Sequence, residues 1–123
     1  MAEVRYIVSD VDAAVAFYTG ALGFDLIDQY GPAMAIIKRG DLTLWLAGPK
    51  ASASKPMPDG AQPVPGGWAR IVLRVDDLAA MVTTLSAQGV RFRNTVVKGP
   101  GGAQVLVQDP SGNPVELFEA RGE

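Results

Sequence analysis

The chain has 123 residues, 48% of them hydrophobic and 20% charged, with a formal net charge of −2. That length suits one compact domain with a real core, or two small modules sharing one. The near-balanced charge, with no cluster of lysines and arginines beside aromatics, speaks against a nucleic-acid partner. No apolar run approaches the roughly 18 residues needed to cross a bilayer, so no membrane partner is expected.

The chain contains no histidine and no cysteine. This removes the commonest soft metal ligands, the usual general base near neutral pH and the thiolate nucleophile, and with them any Ser-His-Asp or Cys-His arrangement. Chemistry is left to carboxylates, arginines, hydroxyls and backbone. The lack of a disulfide framework fits a reducing compartment, and Met1-Ala2-Glu3-Val4-Arg5 is unlike the basic start of a secretory signal, so a cytoplasmic location is expected.

Along the chain, Glu3 to Val8 alternate as a strand does. Asp10 then caps an amphipathic helix whose apolar residues are Val11, Ala14, Val15, Tyr18 and Leu22. After Gly23 come three short apolar stretches, Phe24 to Tyr30, Ala33 to Lys38 and Leu42 to Ala47, separated by Gly31-Pro32 and Arg39-Gly40-Asp41. The unit reads β-α-β-β-β.

The segment from Gly48 to Gly67 holds Pro49, Pro56, Pro58, Pro63 and Pro65, and reads as a linker that either simply connects or lies across a pocket. The order then repeats. Ala69 to Val75 is a strand, Asp77 a cap, and Leu78, Met81, Val82 and Leu85 the apolar stripe of a second helix. Strands follow near Val90 to Val97, Ala103 to Gln108 and Val115 to Glu119. Val8-Ser9-Asp10-Val11-Asp12-Ala13-Ala14 returns 67 positions later as Val75-Asp76-Asp77-Leu78-Ala79-Ala80-Met81, which marks a duplicated module. Gly99, Gly101 and Gly102 join two strands with no helix after them, so they read as a hairpin turn and not as a phosphate loop.

The duplicated β-α-β-β-β, the phrase Val8-Ser9-Asp10 followed by Phe17-Tyr18 and Leu22-Gly23-Phe24, and the closing phrase Asp109-Pro110-Ser111-Gly112-Asn113-Pro114-Val115-Glu116-Leu117 together resemble the vicinal oxygen chelate superfamily. That superfamily includes glyoxalase I, extradiol dioxygenases, fosfomycin-resistance enzymes and bleomycin-resistance binding proteins, so the resemblance speaks for fold more than for function. It implies an α+β fold of two tandem βαβββ modules whose curled mixed sheets enclose a groove. The expected organisation is a single domain over 1–123, with module 1 at 1–47, linker 48–67 and module 2 at 68–123. The resemblance also implies a homodimer.

In metal-dependent members, ligands lie on the first and last strands of both modules. Counting back seven residues from each capping aspartate gives Glu3 and Arg70 on the first strands. The last-strand position falls on Glu116 in module 2, and matching Gly40 to Gly112 puts Leu44 in module 1. A divalent metal is disfavoured beside a permanently charged guanidinium, so no metal and no cofactor is expected. Arg70 is expected to stand in for the ion and to hold the carboxylates of Glu3 and Glu116.

Strand alternation places Val4, Tyr6 and Val8 toward the helix, and Glu3, Arg5, Ile7, Arg70, Val72 and Arg74 on the opposite face. Leu42, Leu44, Leu46, Glu116 and Phe118 are expected to join that face. Arg5 and Arg74 are either solvated charges or contacts for a small anion. Trp45 is expected to point toward the helix layer, whereas Trp68 at the strand entrance either stacks on a ligand or packs against the linker.

The expected role is metal-independent binding of a small organic molecule, neutral or anionic, as in drug or metabolite sequestration. The alternative is a lyase, isomerase or epimerase acting next to a carbonyl, with or without a divalent metal, in which Glu116 is the catalytic base. The ligand-binding candidates are Glu3, Arg5, Leu44, Arg70, Val72, Arg74, Phe118 and Trp68.

Overall fold

The computed structural model describes residues 2–121. The chain divides into two compact units, Met1–Gly66 and Gly67–Glu123. The proline-rich segment up to residue 66 thus belongs with the first unit. Each unit is a mixed sheet with one helix packed on it, an α+β architecture.

The first unit runs β1 (Glu3–Ile7), α1 (Val11–Ala21), β2 (Asp25–Tyr30), β3 (Met34–Arg39) and β4 (Leu42–Ala47). Its sheet order is β1-β4-β3-β2, with β1 parallel to β4 and the other pairs antiparallel. Asp10 sits in extended backbone before α1, and its carboxylate accepts from the Ala13 amide at 3.1 Å, satisfying one of the orphan donors of the first turn. The helix lays Val11, Ala14 and Tyr18 on the sheet face that carries Tyr6, Leu44 and Leu46. Tyr18 is fully buried and meets Phe17 and Phe24 edge to face, with ring centroids 5.2 and 5.4 Å away.

The second unit runs β5 (Ile71–Arg74), α2 (Leu78–Ala87), β6 (Arg91–Phe92), β7 (Val97–Gly99), β8 (Gly102–Gln108) and β9 (Pro114–Ala120). Its sheet order is β5-β9-β8-β6, with β7 also paired to β8. Asp77 caps α2 through the Ala80 amide at 3.0 Å, and Glu119 on β9 accepts from the Leu78 amide at 2.7 Å. Leu78 and Leu85 are buried, as are Ile71, Leu73, Val105 and Leu117 on the sheet.

One expected strand is interrupted. The stretch near Val90 to Val97 forms β6 and β7 separately because Asn94 and not the main chain answers β8 here: its Oδ1 accepts from the Leu106 amide at 2.9 Å. The Arg93 amide still donates to the Leu106 carbonyl, and its side chain turns away to other partners described below. Among the described residues no helix is long and apolar enough to cross a membrane.

The segment after β4 is folded onto the first unit. Gly48 donates to the Ala33 carbonyl at 2.8 Å, while its own carbonyl accepts from the Ala51 amide at 3.0 Å and the Ser54 hydroxyl at 2.7 Å. A Cβ at position 48 would stand 2.7 Å from a Val11 methyl and 2.9 Å from the Pro32 carbonyl oxygen. Gly48→Ala therefore forces the start of α1 or the β2–β3 turn to move. We expect it to destabilise the protein by about 1–3 kcal/mol in chemical denaturation, the usual cost of overpacking.

Candidate functional site

The site is built separately in each unit by the same device, the parallel pairing of a first strand with a last strand. Partners across a ladder share a face, and alternate residues along each strand lie on the opposite one. In the second unit, Val72 pairs with Glu116 and Arg74 with Phe118, and Leu106 on β8 lies beside Glu116. These side chains lie on the face away from α2, as does Arg70, two residues before Val72.

The ladder is held in place by the turn that precedes β9. Asp109 is 3% exposed, and its Oδ1 accepts from the Ser111 and Asn113 amides, both at 2.9 Å, while its Oδ2 accepts from the Asn113 side chain at 3.0 Å. The phrase Asp109 to Asn113 is thus a rigid Asx-type turn that delivers Glu116 in a defined register.

Arg70 and Glu116 are joined directly. Nε and Nη2 of Arg70 donate to the same oxygen, Oε1 of Glu116, at 3.1 and 3.0 Å. Nη1 reaches the Trp68 carbonyl at 3.4 Å. The carboxylate side chain is 11% exposed and the guanidinium 28%, so the pair is partly withdrawn from solvent. Two charge-assisted bonds offset the desolvation of Glu116.

Trp68 is 69% exposed, and its position is set by arginines on two sides. Arg93 lies over the indole at 4.6 Å from the ring centroid, with Nη1 donating to the Gly67 carbonyl at 2.7 Å and Nη2 to the Gly112 carbonyl at 2.8 Å. Arg93 therefore fastens the entrance of β5 to the turn before β9. The sequence pattern did not single out Arg93, because a lone arginine in a short strand carries no local signature. On the same face, the Arg74 guanidinium lies 5.6 Å from the Phe118 ring centroid, and Val72 is 51% exposed.

In the first unit the register reverses the expected faces of β4. Val4 pairs with Leu44, Arg5 with Trp45 and Tyr6 with Leu46. Leu44 and Leu46 therefore lie on the core side with Tyr6, both fully buried, and Leu42 shares their side of β4. Leu44 is not on the face that carries Glu3 and Arg5; Trp45 is, with the Arg5 guanidinium 4.9 Å from its ring centroid. The expectation that Trp45 faces the helix layer is corrected in the same step.

The cause is turn length. β3 and β4 are joined through the two residues Gly40 and Asp41, since Arg39 pairs with Leu42. β8 and β9 are joined through five, Asp109 to Asn113, since Gln108 pairs with Pro114. Aligning Gly40 with Gly112 slips the comparison by one residue, and a slip of one reverses every side chain. The structural counterpart of Glu116 is Trp45.

With this geometry in hand, the comparisons with known proteins are decisive for the family. The family profile of the glyoxalase/bleomycin resistance protein/dioxygenase superfamily matches residues 1–117. The chain belongs to this superfamily.

A superfamily member from Sphaerobacter thermophilus DSM 20745 is 28% identical, with a TM-score of 0.76 over 97% of this chain and 96% of that one. A lactoylglutathione lyase from Agrobacterium tumefaciens is 25% identical, with a TM-score of 0.74 over 97% and 92%. TnmS3, an antibiotic binding protein from Streptomyces sp. CB03234, is 28% identical, with a TM-score of 0.68 over 98% of both chains. No curated protein matches the chain.

The metal site of metal-dependent superfamily members does not fit these residues. The first unit presents Glu3 and Trp45 on its first and last strands, and the second presents Arg70, just before β5, and Glu116 on its last strand. Neither unit supplies a pair of metal donors at these positions, and one of the two Glu116 oxygens, Oε1, is bonded twice by a guanidinium. Among the described residues no group of three or more acidic side chains is placed to hold an ion.

Removing Arg70 leaves a nearly buried carboxylate without its donors. Arg70→Ala is expected to lower stability by about 1–3 kcal/mol, whereas the double variant Arg70→Met with Glu116→Met, which removes both charges, recovers most of that loss. Urea denaturation of the three proteins checks it; equal stability of the wild type and Arg70→Ala would show the pair to be ornamental.

At the far edge of the first unit's sheet, the Asp28 carboxylate hydrogen-bonds the Tyr30 phenol and its charge opposes the phenolate, so Tyr30 titrates above the ordinary phenol value. Between the ordinary and the raised value the folded state holds a proton that the unfolded state has lost, so this contribution to stability fades as pH rises through that alkaline window. Asp28→Asn is expected to move the Tyr30 titration back toward the ordinary value, read by tyrosine ring carbon NMR shifts against pH.

Proposed function

We propose that this superfamily member binds a small organic molecule, neutral or anionic, without a divalent metal, and sequesters it as a homodimer in the cytoplasm. The observation that carries the reading is the Arg70–Glu116 pair. A permanent cation stands at the entrance of β5, where a metal enzyme needs a donor, and it binds the carboxylate that would have been another.

Further support comes from the faces themselves. In the first unit Arg5 stands beside Trp45, and in the second Arg70 and Arg74 stand beside Val72 and Phe118, each a mixture of apolar wall and few charged groups of the kind small-molecule sites use. Such faces disfavour a cationic drug and suit a neutral or anionic one. The similarity to an antibiotic binding protein over 98% of both chains is consistent with sequestration.

The test is a thermal-shift panel of neutral, anionic and cationic organic molecules, run with EDTA and again with added divalent ions. Stabilisers are expected only among neutral and anionic compounds, with the same shift in both buffers. A ligand at a hundredfold excess over its Kd adds about 2.7 kcal/mol of stability, which is a shift of several degrees for a protein this size. A compound that stabilises only when a divalent ion is present would overturn the reading. The lyase or isomerase alternative predicts turnover of such a stabiliser that is lost in Glu116→Gln while binding is kept.

A further inference from the structure

We infer that the outer face of the first unit's sheet is an acceptor for a planar aromatic anion, with Arg5 as the residue that selects its carboxylate or phenolate. This rests on the small-molecule reading above and names the chemical class of the ligand. The observation behind it lies in the first unit alone.

Arg5 is exposed, and its guanidinium lies against the Trp45 indole at 4.9 Å from the ring centroid. Among the described residues its side chain has no hydrogen bond and no ion pair; the stacking on Trp45 is its sole interaction. An arginine laid on an aromatic face is held by one plane while its edge donors stay open, and those donors match the two oxygens of a carboxylate.

The other charges on this face do not consume those donors. Glu3 lies two residues earlier on the same side of β1 and makes no ion pair among the described residues. Lys38 pairs with Thr43 and with Asp25, in the row of Glu3, so that row carries one cation between two acids. Asp28 is in the Arg5 row but three strands away, since Arg5 pairs with Trp45, Trp45 with Ile36 and Ile36 with Asp28. That spacing is about 14 Å, beyond direct contact. Between Arg5 and Asp28 the row is Trp45 and Ile36, both half-buried, a flat apolar surface beside an unpaired cation.

A planar ring carrying an acid group satisfies both features at once. Its ring covers the apolar row, and its acid group takes the edge donors of Arg5. A neutral ring of the same shape gains only the first contribution.

Isothermal titration with 2-naphthoate and its neutral analogue 2-naphthylmethanol separates the two. The wild-type protein is expected to bind the acid at least tenfold more tightly, about 1.4 kcal/mol. Arg5→Gln is expected to erase that preference, Arg5→Lys to restore it only in part, and Lys98→Gln, at an exposed position of β7, to leave it intact. Unchanged far-ultraviolet circular dichroism and melting temperature establish that the variants are folded.

The chain has two tryptophans, so a Trp68→Phe protein shows a single indole N–H resonance, which 2-naphthoate is expected to shift. Equal affinity for acid and alcohol, an undiminished preference in Arg5→Gln, or an unmoved Trp45 resonance would each overturn the inference. If neutral members of the thermal-shift panel bind while 2-naphthoate does not, this inference falls and the small-molecule reading stands. If no organic molecule binds without a divalent ion, the parent reading falls.

Discussion

Parallel pairing of the first strand with the last decides which side chains each unit offers to the outside. In the second unit this pairing sets Val72 beside Glu116 and Arg74 beside Phe118, and it brings Arg70 within bonding distance of the carboxylate. In the first unit the same pairing sets Arg5 beside Trp45 and sends Leu44 into the core. Everything chemical about the protein follows from that register. The register is itself maintained by ordinary means: a helix packed on one face and, before β9, a turn closed by three hydrogen bonds to Asp109.

The Arg70–Glu116 pair turns a family position to a different use. A divalent ion about 4 Å from a guanidinium would be repelled by on the order of 8 kcal/mol at an effective dielectric constant of about 20. A carboxylate already accepting two charge-assisted bonds through one oxygen is also a weakened metal donor. Ion and guanidinium are thus alternative ways of compensating the same nearly buried acid. Arginine does so permanently, and it adds the tie from its third nitrogen to the Trp68 carbonyl. Arginine recurs beside three aromatics, Arg5 on Trp45, Arg93 on Trp68 and Arg74 on Phe118. Such pairs present flat surfaces edged by positive charge.

The fold was legible because the sequence repeats its strand, cap and helix pattern, and periodicity within a repeat is local information. Asp10 and Asp77 cap their helices as their position implies, and the family profile spans residues 1–117. Less legible was anything that depends on how a turn is counted. Gly40 and Gly112 look alike but sit in turns of two and five residues, so matching them puts Leu44 at the counterpart of Glu116, where the register has Trp45. Arg93 escaped notice because its partners, the carbonyls of Gly67 and Gly112, are main-chain atoms distant in sequence. The break between β6 and β7 was hidden for a similar reason, since a side-chain acceptor on Asn94 replaces a backbone one.

The proposed reading is of a duplicated superfamily scaffold in which the Arg70 guanidinium, bonded to Glu116, stands where an ion would be held and the outer faces receive an organic ligand. Native mass spectrometry of the protein, purified gently and without chelators, tests this most directly. The account predicts a dimeric polypeptide mass that is either bare or carries an organic adduct. A divalent ion bound in stoichiometric amount would contradict it and return the protein to metal-dependent chemistry.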